Sequence, residues 1–385
     1  MSWEMVKLGD LYEVHNGLSK GGKFFGSGFP FLSFSTVFNN WFLPETLPDL
    51  VQSTEKEQTS YSILRGDVFI TRTSETMDEL GMSSVALKDY PNATYNGFTK
   101  RLRPVDNSLL PEFIGYYFRS KEFRNKFMAF STMTTRASLR NEDLLSLEVP
   151  VPELCIQHRI ADILSAYDDL IENNRKQIKL LEEAARRLYK EWFVDLRFPG
   201  YEHTKITDGV PEGWEKRTVG SLIDKPIRTK QIPTADYQTD GMIPVIDQSR
   251  EFISGYTNDT ESLVQSNVPV IVFGDHTRIL KLIQFPFAKG ADGTQLICSS
   301  SNHMPQRLLY CSLLNIDLSN YHYARHFKYL KAEVIFVPTV EIANLFESIA
   351  EPLYTKVQRC REICYQAQQA RDRLLPKLMT GEVEV

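Results

Sequence analysis

The stretch IADILSAYDDLIENNRKQIKLLEEAARRLYKEW, residues 160–192, decides the fold. Stepping through it by four and three in alternation picks out Ile160, Leu164, Tyr167, Ile171, Asn174, Ile178, Leu181, Ala185, Leu188 and Trp192. Such spacing is the seven-residue repeat of a helix that offers one apolar seam to another helix. Asn174 is the single amide in that seam, a device that fixes register. At ~1.5 Å per residue the helix spans roughly 50 Å.

A second copy stands 186 residues downstream, reading Phe346, Ala350, Leu353, Val357, Cys360, Cys364, Ala367, Arg371, Leu374 and Leu378. Apart from Arg371 these are apolar or cysteine, and Pro352 predicts a kink or the true helix start because it lacks an N–H. Each helix follows a strand-like ending, Val151-Pro152 and Val337-Pro338. Further upstream the pattern Trp-Glu-x-x-x-(Leu or Val)-Gly-x-Leu also occurs twice, at Trp3, Glu4, Leu8, Gly9, Leu11 and at Trp214, Glu215, Val219, Gly220, Leu222, an offset of 211. The chain is an internal duplication whose second globular part is 25 residues shorter.

Two complementary seams in one chain pair most simply with each other, and antiparallel pairing relates the halves by a pseudo-twofold axis. The expected organisation is a globular domain over 1–150, a long helix within 151–197, a linker and second globular domain over 198–340, and a second long helix within 341–385. Short strand-like runs, residues 67–71 and 268–273, alternate with loops and a helix over 119–130, so each globular part reads as α+β with a mixed sheet. Two globular parts held ~50 Å apart exceed one B-DNA turn of ~34–36 Å. The layout suits two patches on one long ligand, and duplex DNA fits.

At 385 residues, 42% hydrophobic and 11% aromatic, the chain can fill packed cores. No apolar run approaches membrane length and the first residues lack a signal-peptide layout, so a cytoplasmic protein is expected. Five scattered cysteines argue for reduced thiols. The net charge of -5 is unevenly spread. Residues 99–140 hold nine basic and three acidic side chains among seven Phe or Tyr, either a helix with a solvated basic face or a phosphate-facing surface. Residues 275–331 are more mildly basic and carry four histidines.

No catalytic motif is found. The stretch GLSKGGKF, residues 17–24, nearly matches a phosphate-cradling loop, but Phe24 replaces the hydroxyl that holds magnesium and Phe25-Gly26-Ser27-Gly28-Phe29-Pro30 cannot continue as a helix. Cys360 and Cys364 lie on the seam and read as packing residues, with no metal site expected. Asp168 and Asp169 read as flanking charges on an exposed helix face. His276 and His303 read as structural or solvent-facing.

The run VPVPELCIQHRIADILSAYDDLIENNRKQIKLLEEAARRLYKEWF, residues 149–193, resembles the central conserved region of specificity subunits of type I restriction-modification enzymes. The matching features are Pro152, then Gln157 with Ile160-Ala161 and Leu164, then Leu181-Glu182; Ile156 stands where the family usually has Glu. The ending QQARDRLLPKLMTGEVEV is similar to the family's second conserved region, through residues 374–381. The second opening, Glu341-Ile342-Ala343, departs from the pattern.

The resemblance implies a DNA-recognition subunit without catalysis of its own. Two target-recognition domains would read the halves of a split, asymmetric target on double-stranded DNA, with the paired helices as the ruler between them. Two methyltransferase subunits would dock on it, and restriction and translocase subunits would join through the complex. S-adenosylmethionine, ATP and magnesium are then expected on those partners, with no cofactor on this chain and no membrane association. The contacts expected in the first domain are Lys20, Lys23, Arg72, Thr73, Arg136 and Arg140. In the second they are Arg228, Lys230, Arg278, Lys289 and Arg325. The rival expectation is a coiled-coil scaffold carrying two protein-binding domains.

Overall fold

The computed structural model describes residues 3–74, 80–129, 132–133, 137–138, 140–225, 227–265, 269–321 and 325–385. The chain divides into two compact units, residues 1–172 with 365–385, and residues 173–364. Each is a mixture of helix and strand, and each includes one end of each long helix.

The duplicated Trp-Glu pattern has a local cause. In the first unit strand Met5–Lys7 pairs antiparallel with Glu148–Pro150, and the chain then turns at once into helix Leu8–Leu11. The Leu8 N–H donates to the Leu147 carbonyl at 2.8 Å. Gly9 sits so close that a Cβ there would lie 3.3 Å from the Leu145 carbonyl oxygen. In the second unit Glu215–Thr218 pairs with Val334–Val337, the Val219 N–H donates to Glu333 at 2.9 Å, and a Cβ on Gly220 would lie 3.1 Å from the Lys331 carbonyl oxygen. The motif therefore encodes a strand, a buried aliphatic and a glycine that lets one turn press against backbone.

The central sheet of the first unit orders Tyr12–Asn16, Thr99–Pro104, Val68–Thr71 and Ser83–Val85, all antiparallel. A smaller sheet sets Phe25–Leu32 between antiparallel Asp49–Val51 and parallel Thr94–Tyr95. The second unit repeats this plan. Val270–Gly274 lies between Leu280–Ile283 and Thr294–Ile297, while Ile243–Ile246 pairs antiparallel with Gly255–Thr257 and parallel with Ala288–Lys289. The expected strand over 268–273 thus begins at Val270, and Val268 lies outside the described residues.

The basic, aromatic stretch folds inward. The helix expected over 119–130 is two helices, Pro111–Arg119 and Lys121–Ala129, broken at Ser120, whose hydroxyl accepts the Phe123 N–H at 3.2 Å. Phe130 lies outside the described residues. Phe113, Tyr116, Tyr117, Phe118, Phe123 and Phe127 are all buried, with Phe118 and Phe123 stacked 4.3 Å apart.

The first long helix runs Leu154–Tyr189 and continues into a π-helical turn, Lys190–Val194. The second runs Val340–Met379, so Pro352 lies inside it and does not start it. Within the first unit Ile160, Leu164, Ile171, Ala367 and Leu378 are buried. Within the second, Asn174, Ala185, Phe346, Ala350, Val357 and Cys360 are buried. Tyr167, Ile178, Leu181, Leu188, Leu353, Cys364 and Leu374 are half-buried. At two steps the neighbour is the buried residue, Tyr354 beside Leu353 and Leu375 beside Leu374, the drift expected when a helix of 3.6 residues per turn meets a repeat of 3.5.

A buried amide fastens the start of the first long helix. Gln157 is fully buried; its Nε2 donates to the carbonyls of Pro152 and Ser108, both at 2.8 Å, and its Oε1 accepts the Leu110 N–H at 2.7 Å. Residue Ala343 at the corresponding place cannot do this. There His303 Nδ1 lies 3.0 Å from the Pro338 carbonyl, which gives that histidine a structural role.

Candidate nucleic-acid interface

The two units share one backbone frame at the edge where the central and smaller sheets run out. In the first, the chain leaving Val68–Thr71 donates the Arg72 N–H to the Phe98 carbonyl at 3.1 Å. Leu18 forms a parallel bridge with Asn96, and Gly17 packs on Asn96 so closely that a Cβ would lie 2.0 Å from its carbonyl oxygen. In the second unit the chain leaving Val270–Gly274 donates the Asp275 N–H to the Gly293 carbonyl at 2.7 Å, and Gln231 forms the parallel bridge, with Lys289. Main-chain contacts match, and the side chains mounted on them do not.

On the first edge the Arg72 guanidinium reaches the Asn16 amide oxygen at 3.3 Å, and its Nε is buried with no partner among the described residues. Lys100, on the neighbouring strand, bonds Asn141; burial first, and then the nearby Arg72 charge, push its amine down. Strand Thr73–Ser74 pairs through its backbone with Ala137–Ser138, and exposed Arg140 caps helix Asn141–Ser146. Arg72, the Thr73 backbone and Arg140 are therefore gathered at one edge. Arg136 and the Thr73 side chain lie outside the described residues.

Lys20 and Lys23 stand apart from that group. The Lys20 ammonium donates to Glu57 Oε2 at 2.7 Å and to the Gln52 carbonyl at 2.6 Å, and this bond holds the Glu57 carboxyl below its ordinary value. It fastens the glycine segment to the helix Glu55–Ser60. Lys23 is exposed, with its ammonium 5.1 Å from the Phe24 ring centre. Gly22–Phe24 is a single 3-10 turn leading into strand Phe25–Leu32, so no helix N-terminus exists there to cradle a phosphate.

The basic stretch of residues 99–140 is mostly neutralised internally. Arg103 clamps Asp67 with bonds of 2.8 and 2.6 Å, and Arg101 donates to the Ser62 carbonyl at 2.7 Å. Arg119 donates to four carbonyls, of Ser83, Val37, Phe38 and Asn40, at 2.6 to 2.9 Å, and burial pushes its guanidinium down to about 10. Arg124 and Lys126 also have internal partners. These cations brace the fold; exposed Lys121 and Arg140 do not share that fate.

On the second edge Gln248 is the hub. Its Oε1 accepts the His276 N–H at 3.1 Å, its Nε2 donates to the Asp292 carbonyl at 2.8 Å, and its carbonyl accepts the Thr277 hydroxyl at 2.6 Å. Gln231 reaches the Asp292 carboxylate at 3.1 Å. Arg278 adopts φ +61° in this turn and its guanidinium bonds the Leu318 carbonyl at 3.1 Å. Lys289 is half-buried, which lowers its pKa, and exposed Arg325 precedes His326, whose ring and N–H both meet the Asp275 carbonyl. Arg278, Lys289 and Arg325 thus surround one edge. Arg228 is exposed nearby in sequence, while Lys230 is paired to Asp259 at 2.7 Å. Gln231, Gln248, His276 and Asp292 were missed in the sequence, as were Asn16, Asn96, Phe98 and Asn141. The Asn96-Gly97 and Asp292-Gly293 turns were the available signals.

Among the described residues no group of three or more His, Cys, Asp or Glu is placed to hold a metal ion, and no helix is long and apolar enough to cross a membrane. The molecule is a duplicated α+β scaffold that shows different polar tips on one frame.

Known proteins share that organisation. The family model described as the type I restriction modification DNA specificity domain matches residues 1–183. The chain is 25% identical, over all of its length, to the MjaIX specificity subunit of a type I restriction enzyme from Methanocaldococcus jannaschii, covering 94% of that protein. It is 27% identical to the HindI specificity subunit from Haemophilus influenzae over 54% of this chain and 44% of that one. In fold it is similar to the type I restriction-modification S subunit from M. genitalium, with a TM-score of 0.60 at 16% identity over 98% of this chain and 96% of that one. The chain is thus similar, over its whole length, to specificity subunits of type I restriction enzymes, and its first half matches their DNA specificity domain.

Proposed function

We propose that this chain recognises a bipartite, asymmetric sequence in double-stranded DNA, the first unit reading one half and the second the other. The observation that carries this reading is the repeated edge: Arg72 to Phe98 and Asp275 to Gly293 make one main-chain contact, yet the side chains around it differ. A shared frame with different tips is what two unlike half-sites require. The chain has no catalytic role of its own in this reading. In the cytoplasm it docks two methyltransferase subunits and, through them, restriction and translocase subunits, which supply the S-adenosylmethionine, ATP and magnesium chemistry.

The two long helices form an antiparallel coiled coil that sets the spacer between half-sites. Supporting this, within the first unit Arg371 meets Asp168, and within the second Arg361 meets Glu182 at 2.7 Å while Phe346 meets Trp192 at 5.9 Å between ring centres. Numbers rise on one helix as they fall on the other.

Methylation mapping of DNA from cells that express the chain with its neighbouring subunits tests the proposal. A methylated, split, non-palindromic motif is the expected result. Salt-insensitive protein binding with no motif would favour the scaffold alternative.

A further inference from the structure

Phe98 is 54% exposed, at the edge of the first unit beside Arg72. Single exposed apolar residues are ordinary on protein surfaces, but this one is held in place. Its N–H donates to the Asn96 side-chain oxygen at 2.6 Å, its carbonyl accepts the Arg72 N–H, and the Thr99 hydroxyl closes the same turn on the Asn96 carbonyl at 2.7 Å. Gly97 lies so close to Ser19 that a Cβ would sit 2.4 Å from its hydroxyl oxygen. The backbone under the ring is fixed from both sides, so an aromatic group is presented to solvent with little backbone entropy left to lose on contact.

The second unit places nothing there. The main-chain contact equivalent to Arg72 with Phe98 is Asp275 with Gly293, a glycine at φ +82°, where a side chain would be strained. The ring therefore distinguishes the two edges chemically.

Resting on the DNA-reading function proposed above, we infer that Phe98 is a specificity-determining residue that packs on the C5-methyl group of a thymine in the half-site read by the first unit. Of the base edges in the major groove only thymine offers an apolar group. Arg72 and Arg140, gathered at the same edge, supply the charge that brings phosphates to it.

The test is a two-by-two comparison in the reconstituted complex with its methyltransferase subunits. Duplexes carrying the mapped target are bound with thymine or with deoxyuridine, which lacks only the methyl, at each thymine of the first half-site in turn. Wild type is expected to bind one deoxyuridine duplex roughly threefold to fivefold more weakly, the scale of one buried methyl. Phe98→Ala is expected to bind both versions equally, with recognition of the second half-site unchanged, which also reports that the variant is folded. Equal binding by wild type, a loss that persists in Phe98→Ala, or a first half-site without thymine on either strand would each overturn the inference. Absence of sequence-specific binding by wild type would instead sink the DNA-reading function itself.

Discussion

Arg371 of the second long helix forms an ion pair with Asp168 of the first, while its guanidinium carbon lies 4.6 Å from the Trp41 ring centre. The same carboxylate accepts the Tyr116 hydroxyl at 2.6 Å, so the one charged residue in the second seam is met by a charge and a ring. At the corresponding place in the second unit the arrangement is neutral: Tyr354 stands 186 residues after Asp168 and its hydroxyl lies 3.3 Å from Cys311 Sγ.

Removing Asp168 takes one of two carboxylates from a guanidinium whose side chain is only 12% exposed, and leaves it Asp372 alone at 2.8 Å. Asp168→Ala, which also strips the Tyr116 hydroxyl of its acceptor, is expected to destabilise the first unit by on the order of 2 kcal/mol. Tyr354→Phe removes only a neutral bond and is expected to cost about 1 kcal/mol or less. Urea denaturation of both variants checks the contrast, and equal effects would show that the ion pair contributes nothing special.

A pH dependence follows from Lys281. It is buried, its ammonium donates to the Asp247 carbonyl at 2.9 Å and to the Glu251 carbonyl, and burial pushes its amine down to about 8 from an ordinary value of 10.5. Below pH 8 both folded and unfolded chains carry the proton, and the folded state bears the full penalty of a buried charge. Between about pH 8 and 10.5 the unfolded chain holds the extra proton, so stability from this group rises with pH. Relative to Lys281→Met, wild type is expected to gain up to roughly 3 kcal/mol across that window. A difference that stays flat from pH 7 to 10.5 would refute it.

The seams and the duplication were legible because periodicity needs only one helix to be visible. The edge was not, because Asn16, Arg72, Phe98 and Asn141 come together only when the ends of three strands of one sheet meet the start of helix Asn141–Ser146. Charge was the misleading signal. Arg119 looks like a surface cation until Val37, Phe38, Asn40 and Ser83 turn their carbonyls toward it. Arg371 looked like a flaw in the seam, and Asp168 like a solvated charge, because neither shows its partner in the linear order.

That distinction separates two basic residues in a DNA-binding assay. Arg72 sits on the first edge with its Nε unpartnered among the described residues, whereas the Lys20 ammonium is held by Glu57 and Gln52. Arg72→Ala is expected to weaken binding about tenfold and to lower the slope of log affinity against log salt by about 1. Lys20→Ala is expected to leave the slope unchanged and to lower the thermal midpoint slightly. Equal slopes in the two variants would move the interface away from Arg72.

The proposed ruler makes a geometric prediction. Seven residues inserted between Asn174 and Ile178, and seven more between Cys360 and Cys364, restore the seam register in both helices because one full heptad is added to each. The added rise is about 10 Å at ~1.5 Å per residue. Base pairs along duplex DNA are spaced ~3.4 Å apart, so the unspecified spacer is expected to lengthen by about three base pairs with both half-sites intact. Insertion into one helix alone breaks the pairing and is expected to abolish specific methylation. Methylation mapping reads all of these outcomes at once: a changed half-site with an unchanged spacer would mean that the helices do not set the distance.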